Sequence, residues 1–336
     1  MLIFAREFLF IYDMRTLAGT MVADVMTMMN PQSPGTQHGL QLAWTVTIIC
    51  TAIFFIVSGI ILVALMRYRW REGEADPKQN AGNKTMELIW TGIPFLIVVF
   101  LFTLTVRTMG VADPPPKEKP DLIVIGHQWW WEARYPDKGV VTAYEIHIPV
   151  GKPYSVLLDS KDVLHEFWVP ELTRKMTTVP GHPNHIWLEA DKPGTYLGVC
   201  SEFCGTQHAW MRFIVVAEDE KKFDEWEQEQ LKPAAAPEPG TPAADGSAIF
   251  HSMSCVSCHT VDTNGTPIAD RVEIGPDLTH FASRRDFGSG IAVNNAENVR
   301  AWLKNPQQVK PGVLMPDFNF TEKQLNDLTA YFETLK

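Results

Sequence analysis

Two long runs without charged residues constrain the fold of this chain more than any other feature. The first runs from Leu42 to Met66 and the second from Leu88 to Val106. A helix over the first run is about 37 Å long and exceeds the roughly 30 Å hydrocarbon core of a bilayer, while the second is just long enough to cross it. Five Lys and Arg residues separate the runs, and none occurs between Asn30 and Met66. This asymmetry predicts a transmembrane hairpin with a cytoplasmic loop and both ends outside, rather than two buried helices of a soluble protein.

The 38 residues before the hairpin show no clear pattern. Leu2 to Met14 is apolar, but three charged side chains interrupt it, so it makes a poor signal-peptide core. An amphipathic lead-in and an upstream start both remain open. The boundaries that follow are 1–38 for this segment and 39–112 for the hairpin.

Charge and cysteine usage narrow the class of protein. The net charge of −10 argues against nucleic acid as a partner and suits a basic protein partner instead. Four of the five cysteines stand at metal-type spacings, and the fifth, Cys50, lies inside an apolar run. A disulfide scaffold is therefore a poor interpretation.

Short apolar runs separated by Pro and Gly follow the triple proline at 114–116. Runs such as Leu122 to Ile125 and Met211 to Val216 are typical of strands. Residues 113–231 therefore predict an antiparallel sandwich or barrel, closed by one acidic helix.

The last third of the chain reads as a linker followed by a helical module. Residues 232–246 are rich in Pro and Ala and lack apolar periodicity. If extended, such a segment reaches up to about 45 Å, and a tether this short gives an effective concentration in about the millimolar range, so we expect no strong docking surface to be needed. Residues 247–336 show helical spacing, with a capping-box pattern from Thr321 to Gln324.

A group of soft metal ligands lies at the end of the β region. Its members are His165, Cys200, Glu202, Cys204, His208 and Met211. A single-copper site uses two imidazoles, one thiolate and a weak thioether. Here a second thiolate is present, so two thiolates can bridge two copper ions, each with one imidazole. Met211 and the backbone carbonyl of Glu202 can then serve as the two weak ligands.

Other interpretations of the cysteine pair stay open from the residues alone. A Cys-x-x-x-Cys pair outside the cytoplasm can form a disulfide, and with two histidines it can bind zinc. His165 by itself is equally an ordinary, partly buried histidine.

A second motif, Cys255-Val-Ser-Cys258-His259, predicts covalently attached haem c. Two thiols can form thioethers with the haem vinyl groups while the adjacent histidine binds iron. Met315, in a loop before the last predicted helix, is the expected sixth ligand, and a thioether there raises the potential. A thioredoxin-like or zinc motif is the alternative for such a spacing.

Longer stretches resemble known families. The chain from the hairpin to about residue 231 resembles subunit II of haem-copper cytochrome c oxidases. The stretches that carry this likeness are Gly126-His-Gln-Trp129-Trp-Trp131-Glu132, Asp162-Val-Leu-His165-Glu-Phe-Trp-Val-Pro170 and Cys200 to Met211. Residues 247–336 resemble class I cytochromes c through Gly275-Pro-Asp-Leu278 and Trp302-Leu-Lys-Asn-Pro306. The fold implied is a two-helix membrane hairpin, an all-β cupredoxin-like Greek-key domain and an all-α cytochrome c domain.

The resemblance also implies roles for single residues. The six residues named above become ligands of a dinuclear copper centre, and the Glu202 carboxylate matches one that reaches magnesium at the subunit I interface. Trp129 matches the aromatic through which electrons enter, whereas packing is our interpretation for the two tryptophans that follow it. Glu87 matches a membrane-edge carboxylate near a proton-uptake route, and its alternative is a solvated acid at a helix start.

The function implied is that of the electron-input subunit of a respiratory cytochrome c oxidase. Electrons would pass from an external donor through haem c to the copper pair and on to subunit I, which reduces oxygen with proton translocation. Subunit III, a lipid bilayer and an external donor are further expected partners, with the copper and haem domains outside a bacterial-type cytoplasmic membrane. A membrane-tethered copper carrier or redox sensor is one rival, and an electron-transfer subunit for nitric-oxide or nitrous-oxide reduction is another.

Overall fold

The computed structural model describes residues 26–73, 75, 79, 82–265, 267 and 271–336. These divide into two compact units, one over 34–114 and one that joins the residues up to Ser33 to 115–336. The interpretations of residues 1–25, and of Lys78 in the cytoplasmic loop, lie outside the described residues.

The first unit is a pair of long helices. Helix α1 spans Pro34–Arg67 and helix α2 spans Lys84–Ala112, and both are long and apolar enough to cross a membrane. Asn83 caps α2, where its side-chain oxygen accepts a hydrogen bond from the N–H of Thr85 at 3.0 Å. Neither helix buries a side chain within the unit, and a helix that is apolar on all sides suits a hydrocarbon environment.

Residues 122–218 form a sandwich of two five-stranded sheets. The strands are β1 (Leu122–His127), β2 (Trp130–Tyr135), β3 (Val140–Ala143), β4 (Glu145–Pro149), β5 (Tyr154–Ser160), β6 (His165–Trp168), β7 (Met176–Thr178), β8 (Asn184–Leu188), β9 (Gly194–Cys200) and β10 (Arg212–Glu218). Their order is β3-β2-β1-β5-β8 in one sheet and β4-β10-β9-β6-β7 in the other.

The sandwich differs from the expected antiparallel one in two pairings. Strand β1 runs parallel to β5, and β10 runs parallel to β4. Alternation of apolar residues shows which face of a strand is buried but not the direction of its neighbour, so the sequence could not reveal these pairs. The core between the sheets is tightly aromatic: Trp131, Phe167 and Phe213 meet with ring centroids 4.6–5.7 Å apart.

Helix α3 (Glu220–Gln230) fills the acidic stretch for which one helix was predicted. Its Phe223 is buried in the sandwich core, and its Trp226 stacks on His147 of β4 with ring centroids 4.1 Å apart. The helix therefore belongs to the sandwich despite its charged sequence.

The haem-type motif lies in a small helical module. Its helices are α4 (Pro242–Ser252), α5 (Ala296–Lys304), α6 (Pro306–Val309) and α7 (Glu322–Phe332), with a two-stranded ribbon of β11 (Asp286–Phe287) and β12 (Ala292–Val293). Thr321 and Gln324 form the predicted capping box of α7. Helices α4 and α7 cross closely, because a Cβ on Gly246 would lie only 2.0 Å from the carbonyl oxygen of Asp327.

The segment predicted as a linker is shorter and more ordered than expected. Helix α4 begins at Pro242, inside the 232–246 stretch, and Thr241 caps it. A proline suits the first position of a helix, where its missing N–H would have had no partner, so prolines alone did not mark a linker. Ala234 is buried in the core of the helical module and donates its N–H to the Asp262 carbonyl at 2.7 Å.

Candidate copper and haem sites

The predicted copper ligands converge at one end of the sandwich. His165 begins β6, Cys200 ends β9 and Met211 immediately precedes β10. Antiparallel pairing of β6 with β9 sets Phe167 opposite Cys200, which brings the histidine strand alongside the cysteine loop. Ligand atoms of His165, Cys200 and Cys204 all lie within 4.8 Å of one another and all three residues are buried.

Sulfur distances argue against a disulfide between the two cysteines. The Sγ atoms of Cys200 and Cys204 are 3.7 Å apart, far beyond the roughly 2.05 Å of a disulfide bond. Around them lie the Sδ of Met211, 3.7 Å from the Sγ of Cys204, and the Nδ1 of His208, 3.8 Å from that same sulfur. The Glu202 carbonyl oxygen is 3.2 Å from the Sγ of Cys200. All six predicted ligands therefore belong to one cluster.

One atom of the cluster is placed to bind a metal. The Nδ1 of His165 is buried without a hydrogen-bond partner, while its Nε2 is held by the Asp162 carboxylate at 2.8 Å. A buried ring nitrogen without a partner is costly unless it binds something. The second nitrogen, fixed by a carboxylate, is the usual support of a metal-binding histidine, so the residues present fit a copper site.

The thiols influence each other strongly. Hydrogen bonding from Cys204 lowers the pKa of Cys200 to about 4, and the resulting thiolate raises the pKa of Cys204 above its usual value. A metal that replaces the shared proton would hold both sulfurs as thiolates, the form in which cysteine binds copper.

The three consecutive tryptophans have different surroundings. Trp131 is buried in the sandwich core, and Trp130 stacks on His127 with ring centroids 4.1 Å apart, so both serve packing. Trp129 instead donates its indole N–H to the Cys204 carbonyl at 3.0 Å. The same carbonyl accepts a bond from the side-chain amide of Gln128 at 2.8 Å, so Trp129 is tied to the copper loop.

The predicted haem attachment site occupies a short turn. Cys255 lies within a 3-10 turn over Ser254–Ser257, and Cys258 and His259 follow directly. His259 donates its Nδ1 hydrogen to the Pro276 carbonyl at 2.8 Å, which leaves Nε2 as the nitrogen able to bind iron. Burial lowers the pKa of His259 and keeps the ring neutral, as ligation requires.

A glycine makes room for this histidine. A Cβ on Gly275 would lie 2.6 Å from the Cε1 of His259, so the ring is seated directly against the backbone. Met315 packs against the hydrophobic core of the helical module, and its Sδ accepts a hydrogen bond from the Trp302 indole at 3.1 Å. These residues fit a haem group. The contact between Trp302 and Met315 was not predicted from the sequence.

The side chains of two predicted residues, Glu87 and Glu202, do not join either cluster. Glu87 lies in the exposed first turn of α2, where an acid also suits the helix dipole. The Glu202 side chain is exposed, and among the described residues the metal-type cluster includes no carboxylate. The structure thus leaves their predicted roles untested.

Comparisons with known proteins identify the family. Cytochrome c oxidase subunit 2 of Alkalihalophilus pseudofirmus is 34% identical over 328 residues, which cover 95% of this chain and 94% of the relative. The chain belongs to the cytochrome c oxidase subunit II family. Family models for the transmembrane and periplasmic domains of cytochrome c oxidase subunit II match residues 22–107 and 140–218, and a cytochrome c model matches 243–336.

A second relative agrees with this subunit II assignment. Cytochrome c oxidase subunit 2 of Bacillus sp. strain PS3 is 35% identical, with 80% of each chain covered. The crystal structure of the periplasmic domain of subunit II from Bradyrhizobium japonicum is 30% identical over 34% of this chain and 95% of that one, with a TM-score of 0.33.

The predicted family, three-part fold and function are therefore confirmed. This subunit II is a membrane protein with a periplasmic copper-type domain and a fused cytochrome c domain. It is the electron-input subunit of an oxidase and partners subunit I.

Proposed function

We propose that electrons from an external donor reach haem c on this chain, pass to a dinuclear copper centre and leave for subunit I. Haem c would be held by Cys255, Cys258, His259 and Met315, and copper by His165, Cys200, Glu202, Cys204, His208 and Met211. The observation that carries the copper assignment is the pair of unbonded sulfurs 3.7 Å apart beside an unpartnered imidazole nitrogen.

The bound groups would supply the electron carriers, and the chain's own residues hold them still. Asp162 fixes the His165 ring through Nε2, so Nδ1 stays aimed at the thiols. The Pro276 carbonyl does the same for His259. Because these two histidine rings cannot rotate, the geometry of each site changes little when it gains an electron. A small change in geometry favours fast electron transfer.

Further partners are proposals on the same basis. The exposed Glu202 carboxylate is available for a magnesium ion shared with subunit I, and subunit III completes the expected complex. A bacterial-type cytoplasmic membrane is part of this proposal, and the positive loop between α1 and α2 supports an orientation with the copper and haem domains outside it.

The copper assignment is tested by Cys204→Ser in the purified oxidase. Because one bridging thiolate is lost, we expect at most one copper, no mixed-valence optical bands and a loss of electron delivery to subunit I. Cys50→Ser, in α1, is the matched control and should keep two copper ions. Metal analysis that finds one zinc and no copper in the native protein would sink the proposal.

The proton-uptake role of Glu87 is tested separately. Glu87→Ala should slow steady-state oxygen uptake several-fold while copper reduction stays fast, because a carboxylate at the membrane edge would be missing. Asp113→Asn, at the opposite end of the same helix, is the control. Unchanged oxygen uptake in Glu87→Ala would mean that Glu87 is only a solvated acid at the start of a helix.

A further inference from the structure

A buried lysine of the haem domain has no part in either ligand set. Lys310 directly follows α6 and is 3% exposed, although lysine is almost never fully buried unless it is paired. Its ammonium bonds a backbone carbonyl, and among the residues that the structure describes no carboxylate forms an ion pair with it. A buried cation of this kind needs a physical explanation.

The Lys310 side chain is directed at the copper domain. Its Nζ donates a hydrogen bond to the backbone carbonyl of Trp129 at 3.3 Å, and the Trp129 indole donates to the Cys204 carbonyl at 3.0 Å. The backbone carbonyl of Lys310 accepts a bond at 3.2 Å from the amide of Gln207, the neighbour of His208. Lys310 is thus fixed at both ends beside the copper ligands, contrary to the expectation that a tether alone keeps the two domains near each other.

The charge that faces Lys310 belongs to a copper ligand. Removing an ammonium from water is costly unless a negative charge offsets the lost hydration. Burial lowers the pKa of Lys310 to about 8, and the negative charge of a Cys204 thiolate opposes this lowering. At neutral pH the side chain therefore remains an ammonium, and the charge with which it interacts is on the copper loop.

Other cations of the same region are compensated by acids. Arg134 and Lys161 of the copper domain both pair with Glu273, the latter at 2.8 Å, and Arg134 also pairs with Glu132 at 2.5 Å. An adjacent anion cancels most of the field that a cation exerts further away. Lys310 has no such anion, so its field acts on the copper loop without this cancellation.

The direction of the effect follows from charge alone. A copper centre that accepts one electron loses one unit of positive charge, and a nearby cation favours the less positive form. We infer that the buried Lys310 ammonium raises the reduction potential of the copper centre and so favours electron transfer from haem c to copper. In that step one electron leaves the haem iron and enters the copper pair, with no bond or proton exchanged. The inference rests on the proposed electron path.

Lys310→Met tests this role, because methionine keeps an unbranched side chain and removes the charge. Copper and haem c in the purified oxidase are titrated with redox mediators at about pH 6.5, below the lowered pKa of Lys310. We expect the copper potential to fall, so that the equilibrium constant for transfer from haem c to copper falls about tenfold, or about 59 mV for one electron. The haem c potential should shift less. An unchanged copper potential, or a haem shift as large as that of copper, would overturn the inference.

Lys161→Met is the matched control. It removes the same charge from a side chain that is 46% exposed and paired with Glu273. Because solvent and the acid already screen this charge, the copper potential should stay at its wild-type value. Equal shifts in the two variants would mean that net charge, and not the buried ammonium, sets the potential.

Lys310→Arg separates charge from packing. Arginine keeps the positive charge, so this variant should recover most of the copper potential lost in Lys310→Met. A copper potential as low as that of Lys310→Met, with the optical bands of both sites intact, would show that packing is responsible and would overturn the inference. The outcomes also distinguish this inference from the proposed function: a native protein without copper refutes the electron path, whereas a copper potential that ignores Lys310 refutes only the role of this lysine.

Discussion

The two ligand sets of this chain are supported by different kinds of structure. The copper ligands lie at the ends of strands, where the backbone ladder continues up to them: the N–H of Cys200 bonds the Met211 carbonyl at 3.0 Å, and that of Ser201 bonds the Glu166 carbonyl at 3.0 Å. The haem ligands lie on turns outside any strand ladder, held by local hydrogen bonds such as that from the N–H of Gly275 to the Cys258 carbonyl at 2.7 Å.

This difference shows where stability is independent of the cofactor. The sandwich encloses a continuous aromatic core and brings its sulfurs together through strand pairing alone. The haem domain joins short helices and long turns around a smaller core, and Cys255 and Met315 contact that core directly. We therefore expect loss of copper to leave the sandwich folded and loss of haem attachment to unfold its domain.

Cys258→Ser tests the contrast with the largest expected effect. With one thioether lost, haem retention should fall and the helical module should become sensitive to protease, while the copper bands persist. Limited proteolysis followed by mass spectrometry locates the cuts, and Cys50→Ser is the control. A protease-resistant module without haem would show that both domains are independent of their cofactors.

Gly246→Ala sharpens the comparison without touching a ligand. Because the new Cβ would lie 2.0 Å from the Asp327 carbonyl, helices α4 and α7 must separate, which should destabilise the haem domain by at least about 3 kcal/mol. Thermal unfolding followed at the haem band should shift downward, with the copper bands unaffected. Gly39→Ala, which meets no atom within 4 Å, should change nothing. An equal shift at both bands would mean that the domains unfold as one.

Lys310→Met addresses the contact between the domains and has the smallest expected effect. Burial lowers the pKa of Lys310 to about 8, below its ordinary 10.5, so the unfolded chain binds more protons between these values. The wild-type stability should therefore rise as pH increases from about 8 to 10.5, by up to about 3 kcal/mol from this group. The variant should lack that component, as measured by the difference in denaturant unfolding between pH 7 and pH 10. Identical pH profiles would show that Lys310 is hydrated in solution.

The sequence predicted those features that depend on local spacing. The lengths of the two runs without charged residues predicted both helices of the hairpin, and the capping pattern at Thr321 predicted the start of α7. The six copper-type residues were found because four of them stand within twelve positions of Cys200. Their distances to His165, by contrast, depend on strand pairing that spacing does not encode.

Contacts between residues far apart in the sequence could not be predicted, because local spacing carries no information about them. Gln207 and Lys310 are 103 positions apart, and neither residue type signals a domain contact. Thr241 and Pro242 form a helix start, but within a Pro-rich stretch they were interpreted as linker. Asp162 belongs to the sequence motif that contains His165. The hydrogen bond between their side chains, however, depends on the position of β6 in the folded sheet.

The close crossing of α4 and α7 also sets an order of assembly during export. Residues 242–252 begin the haem domain, but their partner surface is 322–332, so this domain cannot close until about 80 further residues have crossed the membrane. The sandwich, by contrast, has its last strand by Glu218. Contacts between distant segments form late because the intervening chain must be ordered first. The copper loop is thus folded and open to metal delivery before the haem domain can cover it.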